Sequence, residues 1–314
     1  MPNVHANFAD FGRHCMQQRF DLCSSVFSRQ MAGQHLDASK AFGFATGEKF
    51  MTSPSTAIPR VVSRAEWLDA RLHLLAREKE LTRQYDTVAA ARRALPWVKV
   101  EKNYVFAGLQ GKVALADLFQ GRTQLIVRHF MFAPGWGEGC VGCSFLADHI
   151  DGARIHLEQH DVSFVAISRA PYPEIAAFQK RMGWQFPWVS SHASDFNYDY
   201  HVSFRPEEVA GGKVYHNFEL REAVSEERAG VSIFYKDSDG AVFHTYSTYG
   251  RGDELLVGAY VYLDLTPKGR NETVRGNLTD WVRHHDRYDA AGSVDVQGRY
   301  VADKTQPGCC ANGK

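Results

Sequence analysis

Apolar residues recur at every seventh position from Trp67 through Leu74, Leu81 and Val88 to Leu95, and Leu68, Leu72 and Leu75 widen the stripe. This period predicts one long helix over 64–95. Ser63 stands before it as a cap, Glu66 three residues later completes a capping box, and Pro96 ends it. Two coverings fit such a stripe. The commoner is the helix's own domain; the other is the matching helix of a second copy, which would make a homodimer.

From about residue 104 the pattern changes to short apolar runs separated by helical ones. YVFAG and GKVALADLF read as a short hairpin and turn. QLIVRHFMF, 124–132, is a continuous apolar run of strand length, as expected of a central strand covered on both faces. A helix over 141–159, a second buried strand VSFVAIS over 162–168 and a helix over 173–184 follow, then FPWVSS as a short strand or turn. Residues 230–250 alternate around a Ser-Asp-Gly turn and read as a hairpin, and 253–265 as a final helix. The order β-α-β-α then β-β-α is the layout of a thioredoxin-like α/β fold, and a Cys-x-x-Cys between the first central strand and its helix makes that reading specific: three layers, a central mixed sheet with helices on both faces, preceded by the long N-terminal helix. The expected organisation is a poorly ordered extension over 1–50, a helical arm over 51–97, the thioredoxin-like domain over 98–270 and a polar tail over 271–314.

Composition narrows the function. Lys plus Arg and Asp plus Glu both number 36, so the formal charge is zero and no bulk field favours nucleic acid or an anionic membrane. No apolar run is long enough for a bilayer, and the first residues lack a basic start followed by an apolar stretch, so a cytoplasmic location is the expectation. In a reducing cytoplasm the six cysteines do not read as a disulfide framework.

The candidate chemistry sits where a strand gives way to a helix. Cys140 and Cys143 are three apart, preceded by Gly135, Trp136, Gly137, Glu138 and Gly139. A thiol at a helix N-terminus faces unpaired N–H groups that stabilise its thiolate, and spacing of three brings the second thiol alongside it. Gly139 and its neighbouring glycines keep bulk away from the approach, and Trp136 offers an apolar platform. Zinc is a weaker reading, because one Cys-x-x-Cys is half a site and Cys309 and Cys310, adjacent in the tail, are poorly spaced for one tetrahedral ion. Two inert core thiols are the remaining possibility. Arg128 and His129 end the strand; alternation lets at most one of them face the cysteines, where it would hold a thiolate, while the plain reading sends Arg128 to solvent and makes His129 structural. No acid stands in that strand to accept a proton. Arg169, at the end of the next strand, is a candidate for an acidic substrate, although a salt bridge is the commoner fate.

Several stretches resemble a known family. YVFAGLQGKVALADLFQGRTQLIVRHFMF and FPWVSSHASDFNYDYHV are similar to segments of peroxiredoxins. VVSRAEWLDAR, FMFAPGW, CSFLADHIDG, VAISRAP, FQKRMGWQFPW, SDFNYDY, VFHTYSTYGRG and YLDLTPKGR resemble a bacterial thioredoxin-like family of predicted dithiol-disulfide oxidoreductases, over about 60–270. The resemblance implies a redox role for Cys140 and Cys143. The chain departs from thioredoxins in reading Ala229-Gly230 where they carry a cis-proline, and from peroxiredoxins in having Gly137 three residues before the first cysteine.

The leading expectation is a thiol-disulfide oxidoreductase with Cys140 as nucleophile and Cys143 resolving, no bound cofactor and no metal. It would act on a disulfide-containing protein or a small thiol or peroxide, with a partner dithiol as reductant. A thiol peroxidase and a non-catalytic binding or metal-handling protein are the alternatives.

Overall fold

A computed structural model describes residues 59–270 and 281–303 of the 314. The expected extension over 1–50 and the pair Cys309 and Cys310 lie outside the described residues.

Helix α1 (Arg64–Arg93) starts where the sequence places it. The Ser63 hydroxyl accepts from the Glu66 N–H at 3.2 Å and the Glu66 carboxylate accepts from the Ser63 N–H at 3.0 Å, so two of the unpaired donors of the first turn are satisfied reciprocally. The expectation that the helix packs on its own domain does not hold: α1 buries none of its residues, and Trp67, Leu74, Leu81, Val88 and Leu95 are all exposed. Its internal support is local, with ion pairs such as Arg83–Glu80.

The rest is an eight-stranded mixed sheet in the order β1 (Val98–Lys99), β10 (Val242–Tyr249), β9 (Gly230–Lys236), β4 (Gln124–His129), β5 (Val162–Ser168), β6 (Trp188–Ser190), β2 (Val105–Gly108) and β3 (Gly111–Ala114). β4 runs parallel to β5 and antiparallel to β9, and β9 and β10 form the expected hairpin. Two parallel strands at the centre, flanked on one side by an antiparallel hairpin, make the thioredoxin-like arrangement. A further parallel strand, β6, extends it, so FPWVSS contributes a true strand.

Alternation along the strands divides the core between two faces. Leu125, Val127, Val165 and Ile167 pack with Phe119 of the 3₁₀ turn Leu115–Phe119 and with Phe196 of α5 (Phe196–Asp199). Phe164 and Ala166 face the other way, toward α2 (Val141–Ala147) and α4 (Tyr172–Met182), whose Phe145, Leu146, Ile175 and Phe178 are buried there. Between them α3 (Ile150–Gln159) closes the β4-to-β5 crossover. A short helix, α6 (Pro206–Ala210), follows α5.

Three elements depart from their expected bounds. β4 stops at His129 rather than 132, leaving Phe130–Phe132 to turn toward α2. The helix expected over 141–159 breaks into α2 and α3. At the break the His149 ring donates from Nδ1 to the Phe145 carbonyl (2.8 Å) and accepts the Ala259 N–H at Nε2 (3.0 Å), so a side chain takes over what the helix ladder would supply. The helix expected over 253–265 is a 3₁₀ stretch, Gly250–Leu256, followed by α7 (Gly258–Leu263). Two small hairpins complete the chain: β7 (Lys213–His216) with β8 (Glu219–Glu222), and β11 (Gly292–Val294) with β12 (Tyr300–Ala302). Residues 281–303, expected as polar tail, bury Val282 and His284 and pack Trp281, Val294 and Tyr300 against the core. Among the described residues no helix is long and apolar enough to cross a membrane.

Burial predicts where truncation hurts. Leu125→Ala, at a site with 0% exposure, should lower unfolding free energy by about 2–5 kcal/mol, whereas Leu81→Ala, at 67% exposure, should change it by less than about 0.5 kcal/mol. Paired denaturant titrations check this; a large loss at Leu81 would mean that another surface covers α1.

Candidate functional site

Cys140 is the cap residue of α2 and Cys143 lies one turn into it. The premature end of β4 explains how they are held. With the ladder finished, the Met131 carbonyl accepts the Cys140 N–H at 3.0 Å, and the Met131 N–H points at the Cys143 sulfur at 3.4 Å. Both thiols are buried and free. The neighbouring Cys140 thiol is the largest influence on Cys143, and with the charge of Arg128 and the Met131 N–H it outweighs burial, lowering this thiol to about 7. Cys140 moves the opposite way. The neighbouring Cys143 thiol, then burial, then the Cys143 charge push its pKa well up, although the N–H groups of Cys143 and Gly142 at the helix start oppose the shift.

Arg128 is the cation of the site. It is 4% exposed, on the α2 face of β4. One terminal nitrogen bonds Asp253 and the Gly230 carbonyl (3.3 Å), and the other stands 3.8 Å from the Cys143 sulfur. The acid that the strand sequence lacks is therefore supplied by the 3₁₀ stretch. Asp253 had no sequence signal beyond being one charge in an apolar segment. Gly230 is required where it stands, because a Cβ there would collide with the Tyr249 ring.

His129, one residue on, faces the opposite side of the sheet, as alternation demands. Its Nε2 bonds the Ser232 hydroxyl (2.7 Å), which bonds that of Ser247 (2.7 Å), which in turn bonds His244. Burial and the Arg128 charge lower His129 to about 3, so it is neutral and remote from the thiols. Arg169 is held by the buried Glu227, by Glu226 and by the Tyr198 hydroxyl. It does not line the cavity described below. Trp136 is half-buried against the same core cluster as the thiols, with the Arg299 guanidinium 5.6 Å from its ring. Gly139 is buried, and a Cβ on it would lie 2.5 Å from Phe130 and 2.9 Å from Phe178, so packing alone demands glycine there.

The thiols open on a cavity of about 350 Å³, lined also by Arg128, Met131 and Ala229, the residue standing where thioredoxins carry proline. The C-terminal hairpin covers the Cys140 side. The Gly298 carbonyl accepts the Val141 N–H at 2.7 Å, and a Cβ on Gly298 would come 2.7 Å from the Cys140 sulfur. The signal for this hairpin was present in SVDVQGRYV, where Val294, Val296 and Tyr300 flank a Gly. Among the described residues no group of three or more His, Cys, Asp or Glu is arranged to hold a metal ion.

Gly298 has φ +80°, a conformation that other residues adopt with strain. Gly298→Ala should cost about 1–2 kcal/mol and displace the turn. Alkylation of Cys140 should accelerate, read by peptide mass after timed iodoacetamide exposure; an unchanged rate would show that the turn does not shield the sulfur.

No curated protein matches the sequence significantly. Among solved structures the chain is similar to peroxiredoxin Q of Xanthomonas campestris, at 11% identity and a TM-score of 0.35 over 54% of this chain and 98% of that one. It is similar to peroxidoxin BcpB of Mycobacterium tuberculosis at 14% identity and 0.34, over 52% and 94%. It is also similar to a Chlorobium tepidum protein described as a thiol:disulfide interchange protein, DsbE, at 13% and 0.33, over 52% and 97%. The sheet order, rather than these distant likenesses, carries the fold. In sequence, residues 56–288 match a family through most of the described chain, and the protein belongs to that family, described as bacterial protein of unknown function, DUF899.

Proposed function

We propose that this protein is a thiol-disulfide oxidoreductase working through Cys140 and Cys143. The observation that carries the reading is geometric: two free thiols at the start of α2, the buried Arg128 guanidinium 3.8 Å from the Cys143 sulfur, and a cavity lined by both sulfurs. A pair of inert core thiols has no need of Arg128 at 3.8 Å or of a cavity reaching both sulfurs.

The same observation favours an order of attack opposite to the one the sequence leads one to expect. The Cys143 thiolate attacks one sulfur of a substrate disulfide, forming a mixed disulfide and expelling the other half as a thiolate. The proton of Cys140 goes to that leaving group. The Cys140 thiolate then attacks the Cys143 sulfur, closing the Cys140–Cys143 disulfide and releasing the second half, so two electrons pass from the pair to the substrate. A separate dithiol returns the pair to its reduced form. Arg128 holds the charge on Cys143 before attack, and Asp253 fixes Arg128 in place. The working environment of such a cycle is a reducing one, such as the cytoplasm.

Two experiments test this. With 2-hydroxyethyl disulfide at pH 7, Cys140→Ser, which keeps a hydroxyl donor, should accumulate a mixed disulfide on Cys143 detectable by intact mass, and Cys143→Ser should not. The reverse pattern would return the first attack to Cys140, and adducts on neither would end the oxidoreductase reading. The second is the pH dependence of Cys143 alkylation in the unmodified protein. A lowered thiol pKa means that the reactive thiolate is present above about 7 and lost below it, so the rate should fall about tenfold per unit below pH 7 and level off above. In an Arg128→Gln/Asp253→Asn double variant, which removes the ion pair together, the midpoint should move upward.

A further inference from the structure

One charge at the cavity wall has no partner. Besides the thiols, five charged side chains line the cavity: Arg128, Arg221, Arg228, Asp253 and Glu254. Four of them are paired. Arg128 holds Asp253, Arg221 is exposed and paired with Glu219, and Glu254 accepts from Arg251 and Arg270, each at 3.1 Å. Arg228 stands apart. Among the described residues its side chain makes no hydrogen bond or ion pair, and its Nε is buried without a partner. Burial, then the nearby charge of Arg221, pulls its pKa down, the direction of a guanidinium that lacks an anion.

Its placement is fixed nonetheless. The Arg228 N–H donates to the Val202 carbonyl at 2.8 Å, and its neighbour Glu227 is buried between Arg169 and the Ser203 hydroxyl, with Ser203 and Glu227 also bridged through the backbone. The next residue, Ala229, lines the cavity as well. The chain thus holds an unpaired, partly desolvated fork of N–H donors at the wall of the space that both thiols face. A guanidinium so held is costly by itself and gains most from a carboxylate, whose two oxygens match its geometry. At about 350 Å³ the cavity is at the small end of ligand pockets, which favours a small molecule over a folded protein chain.

We infer that the cavity selects small disulfides bearing a carboxylate, the carboxylate pairing with Arg228 while a sulfur reaches Cys143. The inference rests on the proposed oxidoreductase reading for its chemistry, but the anion site stands on Arg228 alone. In the reaction one carboxylated thiol leaves at the first attack and the other when Cys140 closes the protein disulfide.

Two probes separate site from chemistry. Suberate replaces the two sulfurs of 3,3′-dithiodipropionate by methylenes, so it reports on the anion site without redox. By calorimetry it should bind the reduced full-length protein, and Arg228→Gln should weaken it at least tenfold. In single-turnover mixing, 3,3′-dithiodipropionate should oxidise the pair at least tenfold faster than neutral 2-hydroxyethyl disulfide. Arg228→Gln should erase that preference, so that within the variant the charged disulfide reacts no faster than the neutral one. Because the variant removes an uncompensated charge, it should melt no lower than the parent, which excludes misfolding as the cause. Failure of suberate to bind, or binding and preference unaffected by Arg228→Gln, overturns the inference. Suberate binding through Arg228 with neither disulfide reacting would keep the anion site and sink the oxidoreductase reading instead.

Discussion

A guanidinium buried to 4% exposure must be paired, and the pairing of Arg128 organises this end of the molecule. Strand alternation sends it to the α2 face of β4. There Asp253 bonds one terminal nitrogen, the Gly230 carbonyl takes a share, and the Cys143 sulfur lies by the other. Each partner comes from a different element: the 3₁₀ stretch after β10, the first residue of β9, and the first turn of α2. The 3₁₀ geometry after residue 250 delivers Asp253 to this spot. The absence of a side chain on Gly230 leaves room for the Tyr249 ring, which packs where a Cβ would be. Remove the cation and the buried carboxylate loses its ion pair, while the sulfur keeps only the Met131 N–H.

The sheet then works as an insulator. Arg128 and His129 are consecutive, yet one faces the thiols and the other faces a serine-histidine chain on the far side. Burial and the Arg128 charge both act to keep His129 neutral. A second positive charge back to back with the first would have no counter-ion, so the hydroxyls of Ser232 and Ser247 supply neutral partners instead.

What the sequence revealed and what it concealed follow from range. The capping box of α1, the apolar runs of β4 and β5 and the β9–β10 hairpin are written in residues a few positions apart, and they formed as read except that β4 ends three residues early. The junction of β4 with α2 was legible too, because Gly-rich turns and Cys-x-x-Cys are local. The pairing of Arg128 with Asp253 spans 125 positions and left no local trace. Nor did the break between α2 and α3, where the His149 ring satisfies Phe145 on one side and Ala259, 110 positions away, on the other. The seventh-residue stripe of α1 was read correctly as a helix and incorrectly as one packed on its own domain, since periodicity reports a face and not what covers it. In 281–303 the apolar residues are few and widely spaced, so they read as a tail, although Val282 and Tyr300 reach the core.

The same geometry favours a negative charge one turn inside the helix over one at its tip. A helix terminus stabilises an anion by about 0.3–1 kcal/mol when exposed, and α2 is only seven residues long. The N–H groups of Gly142 and Cys143 do act on the Cys140 sulfur, but burial under the Gly298 turn and the pull of the neighbouring thiol exceed them. Cys143 has a full positive charge and a strand-end N–H that the β ladder released when β4 stopped at His129. A full charge in a water-poor space outweighs partial charges at the start of a short helix, so of the two sulfurs Cys143 is the one better placed to carry negative charge.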